Sequence, residues 1–316
     1  MRGILLRRIP LLLLTLFVSS ILIFGASELL PINVARNILG QFATQEAVDT
    51  LNERLGLNRP PVERYVRWVG RVAVGDFGVS TSQQSRVGPL IVRHAINSGI
   101  LALAALVVII PVALLLGSIA GLYPTRVIDR VISFGSLAST STPEFVIGVL
   151  LLLAFAVKLQ ILPGSSALLT ESTVLQSPAK LVLPVLTLAI VDVGYLARMM
   201  RASMIEVMRS HHIRAARLRG LPFRRIVFKH ALRNAMLTPI IVLMLHINWL
   251  VGGIVVTETV FGYPGLGQLM LTAANTRDVP LLEAGALFFA LVAVLSQFLA
   301  DLLYAWLNPR ARAGLA

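Results

Sequence analysis

Residues 98–122 run for 25 positions without one charged side chain. Inside hydrocarbon every backbone N–H and C=O must be satisfied within the protein, so only helices and closed barrels cross a bilayer. A barrel strand alternates apolar and polar residues over about 10 positions. This run is apolar throughout and exceeds the roughly 20 residues a helix needs to cross about 30 Å. Comparable runs cover residues 9–30, 131–157, 178–200, 238–259 and 281–307. The chain reads as an all-α, polytopic membrane protein with six transmembrane helices. Composition agrees: 56% of its 316 residues are hydrophobic and 14% are charged, against about 25% charged in soluble domains.

The first run follows Arg2, Arg7 and Arg8. At about 20 residues it is longer than the roughly 7–15 of a secretory h-region, so it reads as an uncleaved span with a cytoplasmic N-terminus. Residues 31–97 are polar and mixed in charge. Long loops of this kind translocate largely regardless of charge, so the segment reads as an extracytoplasmic insertion, with helices over 50–57 and 62–74 split at Pro60-Pro61. The domain reading that follows is a first transmembrane helix over 1–30, the insertion over 31–97, five helices over 98–307 containing a cytoplasmic loop over 201–235, and a cytoplasmic tail over 308–316.

Net charge is +13, but the cations sit between apolar runs. Ten Lys or Arg lie between Arg198 and Arg233, while the short loops read as outer hold Lys158 and Arg277, with Lys180 at the edge of the fourth span. That is the positive-inside asymmetry of a chain with both termini cytoplasmic, with contact to anionic membrane lipid rather than to nucleic acid. The chain has no cysteine, which excludes disulfides, thiolate catalysis and cysteine-held metals. No internal repeat supports an inverted-repeat transporter. No carboxylate pair, His cluster or nucleophile–base set shares an element at catalytic spacing, so neither an enzyme nor a metal site is expected.

Within the basic loop, residues 204–219 have the pattern of an amphipathic helix. Gly220-Leu-Pro222 stops it, because Gly accepts the left-handed conformation and Pro cannot continue the helix. Pro222 can open the next helix at its first position. Ala215 and Ala216 are small enough for another protein's surface to approach the backbone. Two readings fit the residues: a docking element for a soluble partner, or a basic helix lying on anionic lipid. Inside the spans, Glu144 follows Ser139-Thr-Ser-Thr-Pro143, where Pro predicts a kink. Glu144 reads as lining a hydrated pathway, or as lying at the interface if the span starts later. Asp192 reads as facing the path or as bonded to a neighbouring span. Mid-membrane charge costs several kcal/mol on insertion scales, roughly 2.5–3.5. Glu258, Glu283 and Asp301 lie near the ends of spans, where it is cheap. His246 and Asn248 are as readily interhelical partners as ligand contacts, and Gly252-Gly253 reads as a close-packing pair.

The stretch Arg214-Ala-Ala-Arg-Leu-Arg-Gly220, followed by Lys229-His-Ala-Leu-Arg-Asn234, resembles the cytoplasmic "EAA" loop of ABC-importer permeases of the dipeptide/oligopeptide/nickel family. Leu55-Gly-Leu-Asn-Arg-Pro60, Tyr65-Val-Arg-Trp68 and Gly75-Asp-Phe-Gly78 are similar to that family's first outer segment. Glu258-Thr-Val-Phe-Gly-Tyr-Pro-Gly-Leu-Gly267 is similar to its signature after the fifth span, and Asp301-Leu-Leu-Tyr304 with Asn308-Pro-Arg310 to its C-terminus. Arg214 stands where the motif has Glu, and His211-His212 replaces an acidic-aromatic pair.

The resemblance implies a type I permease fold in a bacterial or archaeal inner membrane. It implies a solute, by default a di- or oligopeptide, delivered by an extracytoplasmic binding protein. It also implies a homologous second permease and two ATPase subunits that dock at a coupling helix formed by Arg214, Ala215, Ala216, Arg217, Arg219 and Gly220. ATP and Mg would sit on those subunits: the Gly-x-x-x-x-Gly-Lys-Ser/Thr phosphate loop is absent from this sequence, and no cofactor is expected on the chain. The alternative reading is an ATP-independent channel or secondary transporter whose basic loop binds lipid.

Overall fold

A computed structural model describes residues 2–29, 34–40, 42–167 and 176–307. The expected tail at 308–316 and the side chains of His246 and Asn248 lie outside what it describes. In chain order the helices are α1 (Arg2–Leu29), α2 (Val34–Leu39), α3 (Gln45–Leu55), α4 (Pro61–Ala73), α5 (Val87–Leu122), α6 (Val127–Ser141) and α7 (Glu144–Leu151). After a π-helical turn, Leu152–Lys158, come α8 (Ala179–Arg209), α9 (His211–Leu218) and α10 (Phe223–Arg225). A second π-helical turn, Ile226–Ala231, leads to α11 (Leu232–Ala235), α12 (Leu237–Phe261), α13 (Leu266–Asn275) and α14 (Val279–Leu307). Among the described residues the sole strand-like feature is the isolated bridge Val79–Arg86.

Five helical stretches of the described chain are long and apolar enough to cross a membrane, and a sixth qualifies only as a pair, α6 with α7 and its π turn, bent by 104°. The third span, expected over 131–157 with a kink at Pro143, is therefore two helices with a 104° bend between them. Proline at 143 lacks an N–H and pushes the residue before it out of the helical region; Thr142 accordingly sits at φ −93, ψ 128. The second span also differs: α5 starts at Val87, eleven residues before the uncharged run. Arg93, His94 and Asn97 lower its hydropathy there without breaking the helix.

The chain folds into two compact units. One joins residues up to Asn97 with Gly265–Phe298. Its core packs Val87 and Ile91 of α5 against Leu266, Leu269 and Ala273 of α13 and Leu281 and Ala284 of α14. α13 lies in the segment 261–280 that reads as a loop; its glycines and prolines mark the helix start rather than an irregular course. Pro61 opens α4 at its first position, and α4 packs on α1 through an aromatic cluster, with Phe24–Tyr65 centroids 5.5 Å and Phe24–Trp68 5.9 Å apart. Three polar residues of α1 find partners in this unit: Ser20 Oγ bonds the Tyr65 hydroxyl at 2.9 Å, Glu28 pairs with Arg64, and Ser27 donates to Glu283 of α14. Its outward face, including Leu11, Leu14, Phe17 and Leu22, is exposed and apolar, as a lipid-facing surface requires. Asp278, fully buried, caps α14 by accepting from the Leu281 N–H at 3.2 Å. It also accepts from the Ser80 and Ser82 hydroxyls and the Ser82 N–H, at 2.5, 2.7 and 3.0 Å.

The second unit is Ser98–Pro264 with residues 299–307. Leu101, Ala105, Ile109 and Ala113 form a four-residue-spaced stripe on α5, buried with Val185, Leu188, Ala189, Leu196 and Ala197 of α8 and with Leu243 and Ile254 of α12. A third cluster continues it: Met200 and Met204 of α8 with Ile213 and Ala216 of α9 and with Ile226, Ala231 and Ala235.

Candidate functional site

The basic loop is built differently from the single helix expected over 204–219. α8 runs on to Arg209, with Met204 buried in its core-facing side. The break falls at Ser210, which is extended at φ −67, ψ 156. Its hydroxyl is held by the Val207 carbonyl at 2.5 Å and by the His212 ring at 2.9 Å, so a local side-chain bond competes with helix continuation. α9 then turns Ile213 and Ala216, three residues apart on one face, into the chain's own core. Ala216, expected with Ala215 in the coupling helix, is buried in this chain. Arg214, Ala215, Arg217, Leu218, Arg219 and Gly220 are exposed. Leu218, not among the residues expected to dock, is 84% exposed. Five positions past Ile213, at 100° each, place it about 140° from the buried face, a signal the helical wheel contained.

The stop after α9 is a Schellman closure. The Gly220 N–H bonds the Arg217 carbonyl at 2.9 Å and the Leu221 N–H bonds the Ala216 carbonyl at 3.3 Å, with Gly220 at φ +72. Leu221 packs on the cluster that holds Ala216, as the motif's apolar contact requires. Pro222 sits one position earlier than expected, as the N-cap of α10 at φ −62, ψ 144. A salt link missed in the sequence braces the loop from behind: Asp129 of α6, 3% exposed, takes two bonds from the Arg201 guanidinium of α8, at 2.5 and 2.8 Å. Ser203 Oγ donates to the Ala235 carbonyl at 2.8 Å. α9 is thus a short, cation-rimmed helix fixed to the end of α8 on one side and open on the other.

The two acidic residues picked out in the spans come together. Glu144 opens α7, is half-buried, and accepts a hydrogen bond from the Thr257 hydroxyl of α12. Gly253 of α12 makes room for it, since a Cβ there would strike the Glu144 carboxylate. Asp192, buried on α8, lies close enough for its charge to act on Glu144. Two carboxylates and a hydroxyl on three helices can hold a cation or an ammonium group. Three of the hydroxyls ahead of Glu144 bond back to carbonyls of their own helix. Ser139 and Thr140 donate to the Ser136 carbonyl and Thr142 to the Ala138 carbonyl. Glu258, expected near an interface, is fully buried and accepts from Ser98 Oγ at 2.5 Å.

Residues 113–313 match the family "Binding-protein-dependent transport system inner membrane component", and residues 1–94 match "Binding-prot-dependent transport system membrane comp, N-term". The chain is 32% identical to the glutathione transport system permease protein GsiC of Escherichia coli (strain K12), over 99% of each chain. It is 31% identical to that of Shigella flexneri serotype 5b (strain 8401), again over 99% of each. A match across both models and the whole length of these relatives sets aside the channel and secondary-transporter reading: the chain belongs to the binding-protein-dependent transport system inner membrane components, the multi-pass permease subunits of ABC importers.

Proposed function

We propose that the chain forms half of the transmembrane pathway of an ATP-driven importer for a di- or oligopeptide, glutathione included. A homologous permease supplies the other half, and a binding protein delivers the solute to the extracytoplasmic segment 31–97. Two ATPase subunits, which carry ATP and Mg, dock on the exposed face of α9 through Arg214, Ala215, Leu218, Arg217 and Arg219. Closure of the ATPases pushes α9, and its rigid attachment to α8 carries the movement into the spans. Glu144 and Asp192 face the path and hold the positive end of the solute. The observation that carries this reading is the geometry of α9: its buried face welds it to α8 through Ile213 and Ala216, while its open face is free for a partner. The peptide-like substrate is supported by the likeness to the glutathione permeases.

The test exploits the stop at Gly220. A Cβ there meets no atom within 4 Å, but a left-handed backbone costs an ordinary residue about 1–2 kcal/mol. Asparagine tolerates that backbone. The Gly220→Leu permease should insert normally yet lose ATPase co-purification or substrate-stimulated hydrolysis, and Gly220→Asn should keep most of both. Unaltered coupling in Gly220→Leu would show that ATPases engage elsewhere.

A further inference from the structure

The unit formed by residues up to Asn97 and Gly265–Phe298 lines an open cavity of about 750 Å³, within the roughly 300–1,000 Å³ of small-molecule sites. Phe24 and Trp68 form an apolar shelf in its wall. Arg64, Arg67 and Arg71, at three- and four-residue spacing, present three guanidinium groups from one face of α4. Glu28 and Glu283 supply opposing charge.

The charges are unequally committed. Arg64 is paired with Glu28 and donates to the Leu57 carbonyl. Arg67 is tied to Glu63 on the helix surface at 3.1 Å. Arg71 is exposed and makes no side-chain hydrogen bond among the described residues, although its charge reaches Glu283. Glu283 is fixed by Ser27, which donates to Oε1. An apolar shelf with a free guanidinium and a fixed carboxylate close enough to interact is the complement of a zwitterion that carries an apolar side chain. Guanidinium prefers carboxylate for its fork geometry, and an aromatic wall takes an apolar side chain at low entropic cost.

We propose that this cavity is a binding site for short zwitterionic peptides, lying in the chain itself and separate from the Glu144–Asp192 pair. Arg71 takes the terminal carboxylate, Glu283 the ammonium, and the Phe24–Trp68 shelf the side chain. The site would receive solute within the permease before it enters the spans. The peptide class rests on the substrate reading above.

The full chain in lipid nanodiscs, titrated with the dipeptide Gly-Phe, should show a saturable change in tryptophan emission that is lost in Trp68→Phe. Affinity should fall at least tenfold for the C-terminal amide, for N-acetyl-Gly-Phe, and for Gly-Phe on Arg71→Ala, with Arg71→Lys in between. Equal affinity for the amide, or an unchanged constant in Arg71→Ala, overturns the site. The amide comparison uses the unmodified chain and so stands even if a variant misfolds. Uptake by the assembled transporter separates the two readings. Peptide uptake without binding here overturns the cavity proposal alone; binding here without peptide uptake overturns the substrate reading alone.

Discussion

Gly253 and Glu144 constrain each other at the scale of single side chains. A methyl group at 253 would occupy the position of the Glu144 carboxylate, and the spine of α12 cannot retreat while Ile254 is buried beside it. Gly253→Ala should therefore disturb packing and lower transport sharply with normal membrane insertion, and adding Glu144→Ala should restore the packing without restoring transport. Uptake and protease resistance measured on the single and double variants check this. If Gly253→Ala transports normally, Glu144 is not held in the position described. Asp278 sets a second constraint, this time on stability. Burial by itself would raise its pKa, but the Ser80 and Ser82 hydroxyls and the Ser82 and Leu281 N–H groups bond the charged form and hold it below the ordinary Asp value. Because the folded value is the lower one, its stabilisation is complete above an unfolded pKa of about 3.9 and is lost as pH falls through and below it. Thermal unfolding of the wild type should drop between pH 6 and pH 3 by more than that of Asp278→Asn. Asp278→Ala should cost about 3 kcal/mol, since it strands buried donors.

Elements in this chain end where side chains, not hydropathy, decide. The Schellman closure of α9 recurs after α3, where the Leu57 N–H reaches the Asn52 carbonyl at 2.9 Å, and after α12, where the Tyr263 N–H reaches the Glu258 carbonyl at 2.8 Å. Each is marked by Gly, then an apolar residue, then Pro within four positions, so these stops are legible in the sequence. The break at Ser210 is not, because Ser is tolerated inside helices and only its bonds to Val207 and His212 reveal the turn. The kink at Pro143 is legible, but its 104° amplitude depends on how α7 packs on α8 and α12. Ala215 and Ala216 look equivalent in sequence, and only the position of Ile213 separates the exposed one from the buried one. The Asp129–Arg201 brace joins positions 72 apart and leaves no local pattern. It matters at the element scale because it fixes the start of α6 to the stretch of α8 that carries α9. A double-mutant cycle with Asp129→Asn and Arg201→Gln should give a coupling of about 1–2 kcal/mol, reduced from the fully buried value by the one-third exposure of Arg201. Both single variants should uncouple ATP hydrolysis from transport. A coupling near zero would reduce the brace to a surface contact.

For the whole molecule, the bent pair α6–α7 decides the topology. If it crosses the membrane as one broken span, six crossings bring both ends of the chain to one side, and the ten cations between Arg198 and Arg233 lie on the side of Arg2, Arg7 and Arg8. If it re-enters on the side it left, only five crossings remain. The basic loop would then lie opposite the N-terminal arginines, with ten cations in a short loop on the outer side. That arrangement inverts the positive-inside bias, which acts most strongly on short loops near span ends. The bias therefore favours a crossing, despite a bend that by itself would fit a re-entrant loop. The absence of cysteine makes the chain a clean background for labelling. Single cysteines at the exposed positions Gln83, Arg126, Gln160 and Arg219 should separate into two classes under a membrane-impermeant maleimide applied to intact spheroplasts. Gln83→Cys and Gln160→Cys should react directly, whereas Arg126→Cys and Arg219→Cys should react only after permeabilisation. A Gln160→Cys that behaves like Arg126→Cys would mean that the pair re-enters. Arg219→Cys would then react from outside, and α9 could not meet an ATPase in the cytoplasm, so one labelling pattern tests the topology and the docking surface together.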